Sequence, residues 1–229
     1  SVVREALAVV ARAPRAGEVK TRLTGALGAE AAAGLYRAFL RDTAEMVAEV
    51  RGARPSVECV VCYTPPDGER DVRALFEADT AGLAQRGEAL GERLANLFED
   101  LFRAGFDAVA AIGADSPTLP AAYVVAAFEA LERGAHAVIG PADDGGYYLL
   151  GLKRPCRELF ERVELSAART FDDTVRVARE SGLTVQVLAG WFDVDTTVDL
   201  ERLRAELECD ARGARHTRLF LATGIDKAG

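Results

Sequence analysis

Two rhythms of apolar residues alternate along the chain. Strand-length apolar runs recur at residues 6–12, 56–63, 107–113, 135–140, 147–152 and 184–189. Between them lie longer stretches with helical spacing. Residues 27–50 carry Leu27, Ala31, Leu35, Phe39 and Met46, and residues 88–104 carry Leu90, Leu94, Leu97 and Leu101. Further helices are expected at 121–133, opened by Pro120, at 172–181 and at 197–207. Strands alternating with helices predict crossover units, hence an α/β fold with a mainly parallel sheet. At 229 residues and 49% hydrophobic composition the chain is expected to form a single domain over 1–229.

Charge narrows the function. Lys and Arg number 28 against 36 Asp and Glu, a formal net charge of −8, which disfavours nucleic acid and anionic membranes as partners. No apolar run is long enough to span a bilayer and the N-terminus lacks the pattern of a secretory signal, so a cytoplasmic protein is expected. Cys59 and Cys62, three apart in a strand-like run, point to opposite faces rather than form a zinc knuckle, and all four cysteines read as reduced thiols. A phosphate site must therefore be local, and Arg12, Arg15, Lys20 and Arg22 are the closest-spaced cations.

In a parallel α/β sheet, ligands bind beyond the carboxyl ends of the strands. Four strand exits carry chemistry. "ARAPRAGEVKTRL" follows the first strand: Pro14 and Gly17 shape a turn, while Lys20 and Arg22 can reach phosphate oxygens, with backbone donors from residues such as Ala11 and Arg12 helping. A solvated basic turn explains this loop about as well. "AAIGADSPTLP" presents Ala114, Asp115 and Ser116, and a carboxylate there can hold a hard divalent cation, Mg2+ or Mn2+. Helix capping is the competing role for Asp115, with Thr118 better placed for it.

In "GPADDGGYYLLG", Asp143 or Asp144 can bind or deprotonate a hydroxyl, and Gly145 and Gly146 allow close backbone approach beside Tyr147. A tight turn between strands is the preferred reading of that loop by pattern. In "WFDVDTTVDL", Asp193 and Asp195 alternate along an extended segment, so one of them, Asp195 before Asp193, is expected to join Asp115 as a metal ligand. Thr196 or Thr197 suits the cap of the next helix, with Asp199 in its first turn. Trp191 and Tyr147 can stack on a base or sugar or pack at the rim.

The blocks "APRAGEVKTRL", "LGERL", "GADSPTLP", "GPADDGGYYLLGL" and "DVDTTVDL", in that order over nearly the whole chain, resemble the DUF2064 family, also called the radical-SAM/selenodomain-associated transferase 1 or arsenosugar-biosynthesis glycosyltransferase-like family. The resemblance implies the GT-A type nucleotide-diphospho-sugar transferase fold, a mixed, mostly parallel sheet flanked by helices. It also implies that Asp115 and Asp195 bind metal, that Lys20 and Arg22 are the N-terminal basic pair, and that Gln85, Gly91 and Arg93 approach the nucleotide. Part of the pattern is similar to 2-phospholactate guanylyltransferases. Ala114-Asp115-Ser116 departs from the Asp-x-Asp of many glycosyltransferases by offering one carboxylate.

Two reactions fit these residues: glycosyl transfer from a nucleotide-sugar donor to a small-molecule hydroxyl acceptor, with Asp115, Asp144 and Lys20 as the catalytic set, or nucleotidyl transfer from a nucleoside triphosphate with loss of pyrophosphate. The first is chosen. A nucleotide- or sugar-binding protein without turnover is the third reading. A hydrolase is weaker, since His136 and His216 pair with no nucleophile. Oligomeric state is open, a homo-oligomer included, and so is the form of the tail at 211–229.

Overall fold

The computed structural model describes residues 2–225, so residue 1 and the last part of the tail, 226–229, lie outside the described residues. The chain opens with β1 (Glu5–Arg12), passes a helical turn at Thr21–Leu23 into α1 (Thr24–Leu27) and the long α2 (Ala29–Ala53), and returns along β2 (Val57–Thr64). After α3 (Glu69–Arg73) and β3 (Ala81–Ala84) come α4 (Leu90–Arg103), β4 (Ala108–Ile112), α5 (Ala121–Glu132), β5 (Ala137–Pro141) and β6 (Tyr147–Leu152). Then follow α6 (Glu158–Glu161), α7 (Thr170–Glu180), β7 (Val185–Val187), α8 (Thr197–Cys209) and α9 (Arg215–Phe220). Among the described residues no helix is long and apolar enough to cross a membrane.

The described strands form one seven-stranded sheet in the order β3-β2-β1-β4-β6-β5-β7. It is mixed and mostly parallel: β6 alone runs antiparallel, against both β4 and β5. The reason is the short β5–β6 loop at 142–146, which is far below the dozen or so residues a parallel crossover needs, so the chain must fold straight back.

Alternation along the strands builds two cores. Leu7, Val9 and Ala11 of β1 face Leu35 and Phe39 of α2, Phe128 of α5 and Leu203 of α8. Ala6 and Ala8 face Phe98 and Leu101 of α4, Leu159 of α6 and Val177 of α7. Cys59 and Cys62 fall in opposite cores, both as free thiols, as their spacing predicts. The six expected strands and five expected helices are present within a few residues. β3 was not expected: "AGLA" has one large apolar residue, and the strand is a half-exposed edge held by its parallel ladder to β2. The short α3, α6 and α9 are below the length at which a helical period can be read.

The tail question resolves for residues up to 225. The buried carboxylate of Asp42 on α2 accepts from the backbone N–H groups of His216 and Thr217, each at 2.9 Å, and from the Thr217 hydroxyl at 2.5 Å. These bonds satisfy donors at the start of α9 and fasten it across α2. Asp42→Ala leaves those buried donors unpaired. It is expected to lower stability by about 1–3 kcal/mol and to open the 211–225 segment to limited proteolysis, read by denaturant melts and by mapping the first cleavage site.

Candidate active site

Three of the four chemically marked strand exits meet beyond the carboxyl ends of β1 and β4, with the fourth, the β5–β6 loop, closing the side. The mortar is main-chain. The segment that follows β7 is extended, and its Trp191 N–H donates to Pro141 O at 3.0 Å, while its Trp191 carbonyl accepts from Asp143 N–H at 3.1 Å. Three residues on, Val194 N–H donates to Asp115 O at 2.8 Å. One segment is thus stitched to the β5–β6 loop on one side and to the β4 exit on the other. The start of α8 then fixes its far end. Thr196 is the cap, Asp199 N–H donating to its hydroxyl at 3.3 Å, and the Asp199 carboxylate accepts from the backbone N–H groups of Thr196 and Asp195 at 2.9 and 3.0 Å.

Lys20 enters this group from the loop after β1. Its backbone is left-handed, at φ 49°, ψ 42°. The ammonium donates to Asp115 Oδ1 at 2.5 Å, Asp195 Oδ1 at 2.8 Å and the Val194 carbonyl at 2.8 Å, and its side chain is 4% exposed. Burial opposes its charge, but Asp115 and Asp195 together outweigh burial and hold Lys20 above the usual ammonium range. With three acceptors taken, Lys20 faces carboxylates rather than open solvent where phosphates would arrive, which differs from the expected phosphate contact. Arg12 and Arg22 are the exposed cations of this loop, whereas Arg15 is tied to Asp67 and Asp71 at 3.1 Å each.

Asp144, Asp193 and Asp195 bring carboxylate oxygens within 4.8 Å of one another. The expectation that only one of Asp193 and Asp195 would face the site is corrected. Residues two apart in an extended chain share a face, and it is Phe192 and Val194, at 4% and 0% exposure, that turn inward. Asp193 lies deepest. Burial, then the neighbouring Asp115, Asp195 and Asp144, push its carboxyl up to about 7, against the bond from the Ser116 hydroxyl at 2.6 Å. Three hard oxygen donors this near one another can share a divalent cation once the carboxylates draw in around it. Asp115 adjoins them through Lys20 and through Ser116.

The remaining expected residues divide. Gln85 joins the ends of three strands: its side-chain amide donates to Cys62 O at 2.8 Å and Ala11 O at 3.3 Å, and its N–H to Tyr63 O at 2.9 Å. Arg93 holds Gly87 O at 2.8 Å, and a side chain on Gly91 would meet Phe160 O at 2.9 Å, so both secure the start of α4. Ala11, Pro14 and Ala114 are buried supports, and Gly17 takes a positive φ of 81° at an exposed turn. Asp143 points away to Arg202 on α8. Gly145 approaches protein, not open space: a side chain there would lie 2.1 Å from Ala168 O, and its own carbonyl accepts from Phe171 N–H at 2.8 Å. Gly146 N–H donates to Asp144 Oδ1 at 2.9 Å, so the loop is both a tight turn and the support of Asp144. Tyr147 buries its hydroxyl without a partner among the described residues, and Trp191 packs edge-on against Tyr123, 5.4 Å between centroids. Neither Asp115 nor Thr118 caps α5, whose cap is Pro120. Ser116 and the Val194 carbonyl were not among the expected site residues. Ser116 could have been found from its place beside Asp115, but a main-chain carbonyl has no sequence signature.

Two clefts, of about 550 and 450 Å3, flank β7 and are lined by none of the expected site residues.

A family model described as "Uncharacterized protein conserved in bacteria (DUF2064)" matches residues 47–167. A crystal structure named as a "putative nucleotide-diphospho-sugar transferase" from Desulfovibrio desulfuricans G20 is 32% identical, covers 96% of this chain and 94% of its own, and superposes with a TM-score of 0.85. At 14% identity, a 4-diphosphocytidyl-2C-methyl-D-erythritol synthase from Anaerococcus prevotii DSM 20548 has the same fold (TM-score 0.58, covering 91% and 100% of the two chains). So does the Mycobacterium tuberculosis H37Rv protein Rv0371C in complex with manganese, 17% identical (TM-score 0.51, covering 88% and 98%). No curated protein matches at significant similarity.

Two outcomes follow from this geometry. Gly145→Ala forces a left-handed alanine into the Ala168 carbonyl and is expected to cost about 2–4 kcal/mol, read as a lowered melting temperature. In metal-free protein, folded Asp193 keeps its proton to about pH 7, whereas the unfolded carboxyl loses it near about pH 4. The native state therefore binds more protons across that window, and the contribution of Asp193 to stability falls as pH rises through it. Asp193→Asn should remove that part of the slope in melts taken across the window.

Proposed function

The chain belongs to the DUF2064 family, and on that footing we propose that it is a metal-dependent glycosyltransferase using a nucleotide-diphosphate sugar and a small-molecule hydroxyl acceptor. The observation that carries the reading is the meeting of Asp115 and Asp195 on the buried Lys20 ammonium, beside the cluster that Asp195 forms with Asp144 and Asp193 at the carboxyl ends of β1 and β4. Such a cluster of hard oxygen donors suits Mg2+ or Mn2+ together with substrate phosphates. Asp193 and Asp195 would hold the ion, with Asp115 and the exposed Asp144 beside them. When bound, it would offset the charge of the departing nucleoside diphosphate.

The chain's own residues do the rest. Exposed Arg12 and Arg22 meet the diphosphate, and Gln85 shapes the floor between the strand ends. The acceptor oxygen bonds to the anomeric carbon as the bond from that carbon to the diphosphate breaks, and the acceptor proton passes to a carboxylate, for which Asp144 is the exposed member of the group.

One observation favours a second reading. Asp144 stands within the acidic cluster, and Asp143 is paired with Arg202, so no carboxylate of this loop is set apart to deprotonate a neutral hydroxyl. A phosphate acceptor needs no base. In that case its oxygen attacks the α-phosphorus of a nucleoside triphosphate and pyrophosphate leaves.

Thermal-shift measurements with nucleoside triphosphates, diphosphates and nucleotide sugars, with and without Mg2+ or Mn2+, test the assignment. A ligand at a hundredfold excess over its dissociation constant stabilises by about 2.7 kcal/mol. A metal-dependent shift with nucleotide sugars that disappears in Asp115→Ala is the expected result, and phosphorus NMR of the products then distinguishes released nucleoside diphosphate from pyrophosphate. A shift confined to triphosphates moves the assignment to nucleotidyl transfer. No metal-dependent shift with any of them overturns both.

A further inference from the structure

Asp195 belongs to two cation positions at once. Its Oδ1 accepts from the Lys20 ammonium at 2.8 Å, and its carboxylate also stands with those of Asp144 and Asp193 in the cluster whose oxygens lie within 4.8 Å. The first position is filled by the protein itself. The Lys20 ammonium lies 5.7 and 5.5 Å from the Tyr36 and Phe39 ring centroids and saturates its donors on Asp115, Asp195 and the Val194 carbonyl. A divalent ion at the second position would share the Asp195 carboxylate with a fixed, buried positive charge. Like charges bridged by one carboxylate repel.

We infer that Lys20 is a positioning residue acting as a resident counter-ion: it holds Asp115 and Asp195 together beside Asp144 and Asp193, yet keeps the affinity for a bare divalent cation low, so that the ion is taken up together with an anionic di- or triphosphate. The inference rests on the metal-dependent transferase reading for the identity of the ligand. The charge balance gives its direction. Four carboxylates and one ammonium leave a site that attracts a divalent ion but shares Asp195 with a competitor, and the phosphate oxygens of the donor supply the ligands that Asp195 cannot give to both. Lys20 thus makes binding of metal and polyphosphate mutually supportive.

The test is binding of Mn2+ alone, followed by the free-ion signal in electron paramagnetic resonance, without turnover. Wild-type protein should bind Mn2+ weakly, and at least tenfold more tightly when inorganic pyrophosphate is added. Lys20→Met keeps an unbranched side chain at this buried position and removes the charge. It should bind Mn2+ alone at least tenfold more tightly than wild type, and much of the gain from pyrophosphate should vanish. Lys20→Arg keeps the charge and should stay weak. Adding Asp195→Asn to Lys20→Met should abolish the gain. A Lys20→Met protein that binds Mn2+ no better than wild type overturns the inference, as does a gain that survives Asp195→Asn. If circular dichroism shows Lys20→Met unfolded, Lys20→Gln is measured in its place with the same criteria. Tighter Mn2+ binding without any transfer activity would leave this inference standing and remove the transferase reading; transfer activity with unchanged Mn2+ affinity would do the reverse.

Discussion

The buried ion group around Lys20 is the constraint on which the site depends. It ties together positions separated by 95, 174 and 175 residues: Asp115, the Val194 carbonyl and Asp195. An ammonium with 4% side-chain exposure is tolerable only when its donors are all met, and carboxylates gathered this closely are tolerable only with a cation among them. Each side of the interaction therefore requires the other. The loop after β1 must adopt a left-handed turn at Lys20 to deliver it, and the segment after β7 must run extended past the β4 exit to receive it.

The antiparallel β6 turns that constraint into a four-sided site. A purely parallel sheet would have carried the chain away from β5 through a helix. Instead the short turn at 142–146 places Asp144 beside Asp193 and Asp195 and offers Pro141 and Asp143 as main-chain partners for Trp191. Gly145 makes this possible by giving up its side chain where Ala168 packs against it. The cap of α8 completes the arrangement, because the same Asp199 carboxylate that starts the helix also holds the backbone of Asp195.

Positive charge is divided by depth. Lys20 is committed inside to carboxylates, Arg15 is committed to Asp67 and Asp71, and Arg12 and Arg22 stay at the surface. The cations of one loop are therefore committed to different surroundings. That division is what makes the local basic segment compatible with a chain whose net charge is −8.

Local rules were enough for much of this. Period-two and helical spacing located the strands and long helices, because a strand buried on both faces and an amphipathic helix each impose their own repeat on the sequence. Gly113 ending an apolar run before Asp115, and the Asp193 to Asp199 segment, marked the strand exits that carry the acids, and the order of the motif blocks pointed to the family. Only the tertiary structure decided which groups face one another. The edge strand β3 depends on pairing with β2 and not on its own residues. Gly145 meets Ala168, Asp143 turns to Arg202, and Lys20 turns from the expected phosphates to Asp115 and Asp195 through contacts between segments far apart in the chain. A side chain's type and spacing are written locally, but its partner is whatever the packing of the whole sheet brings within reach.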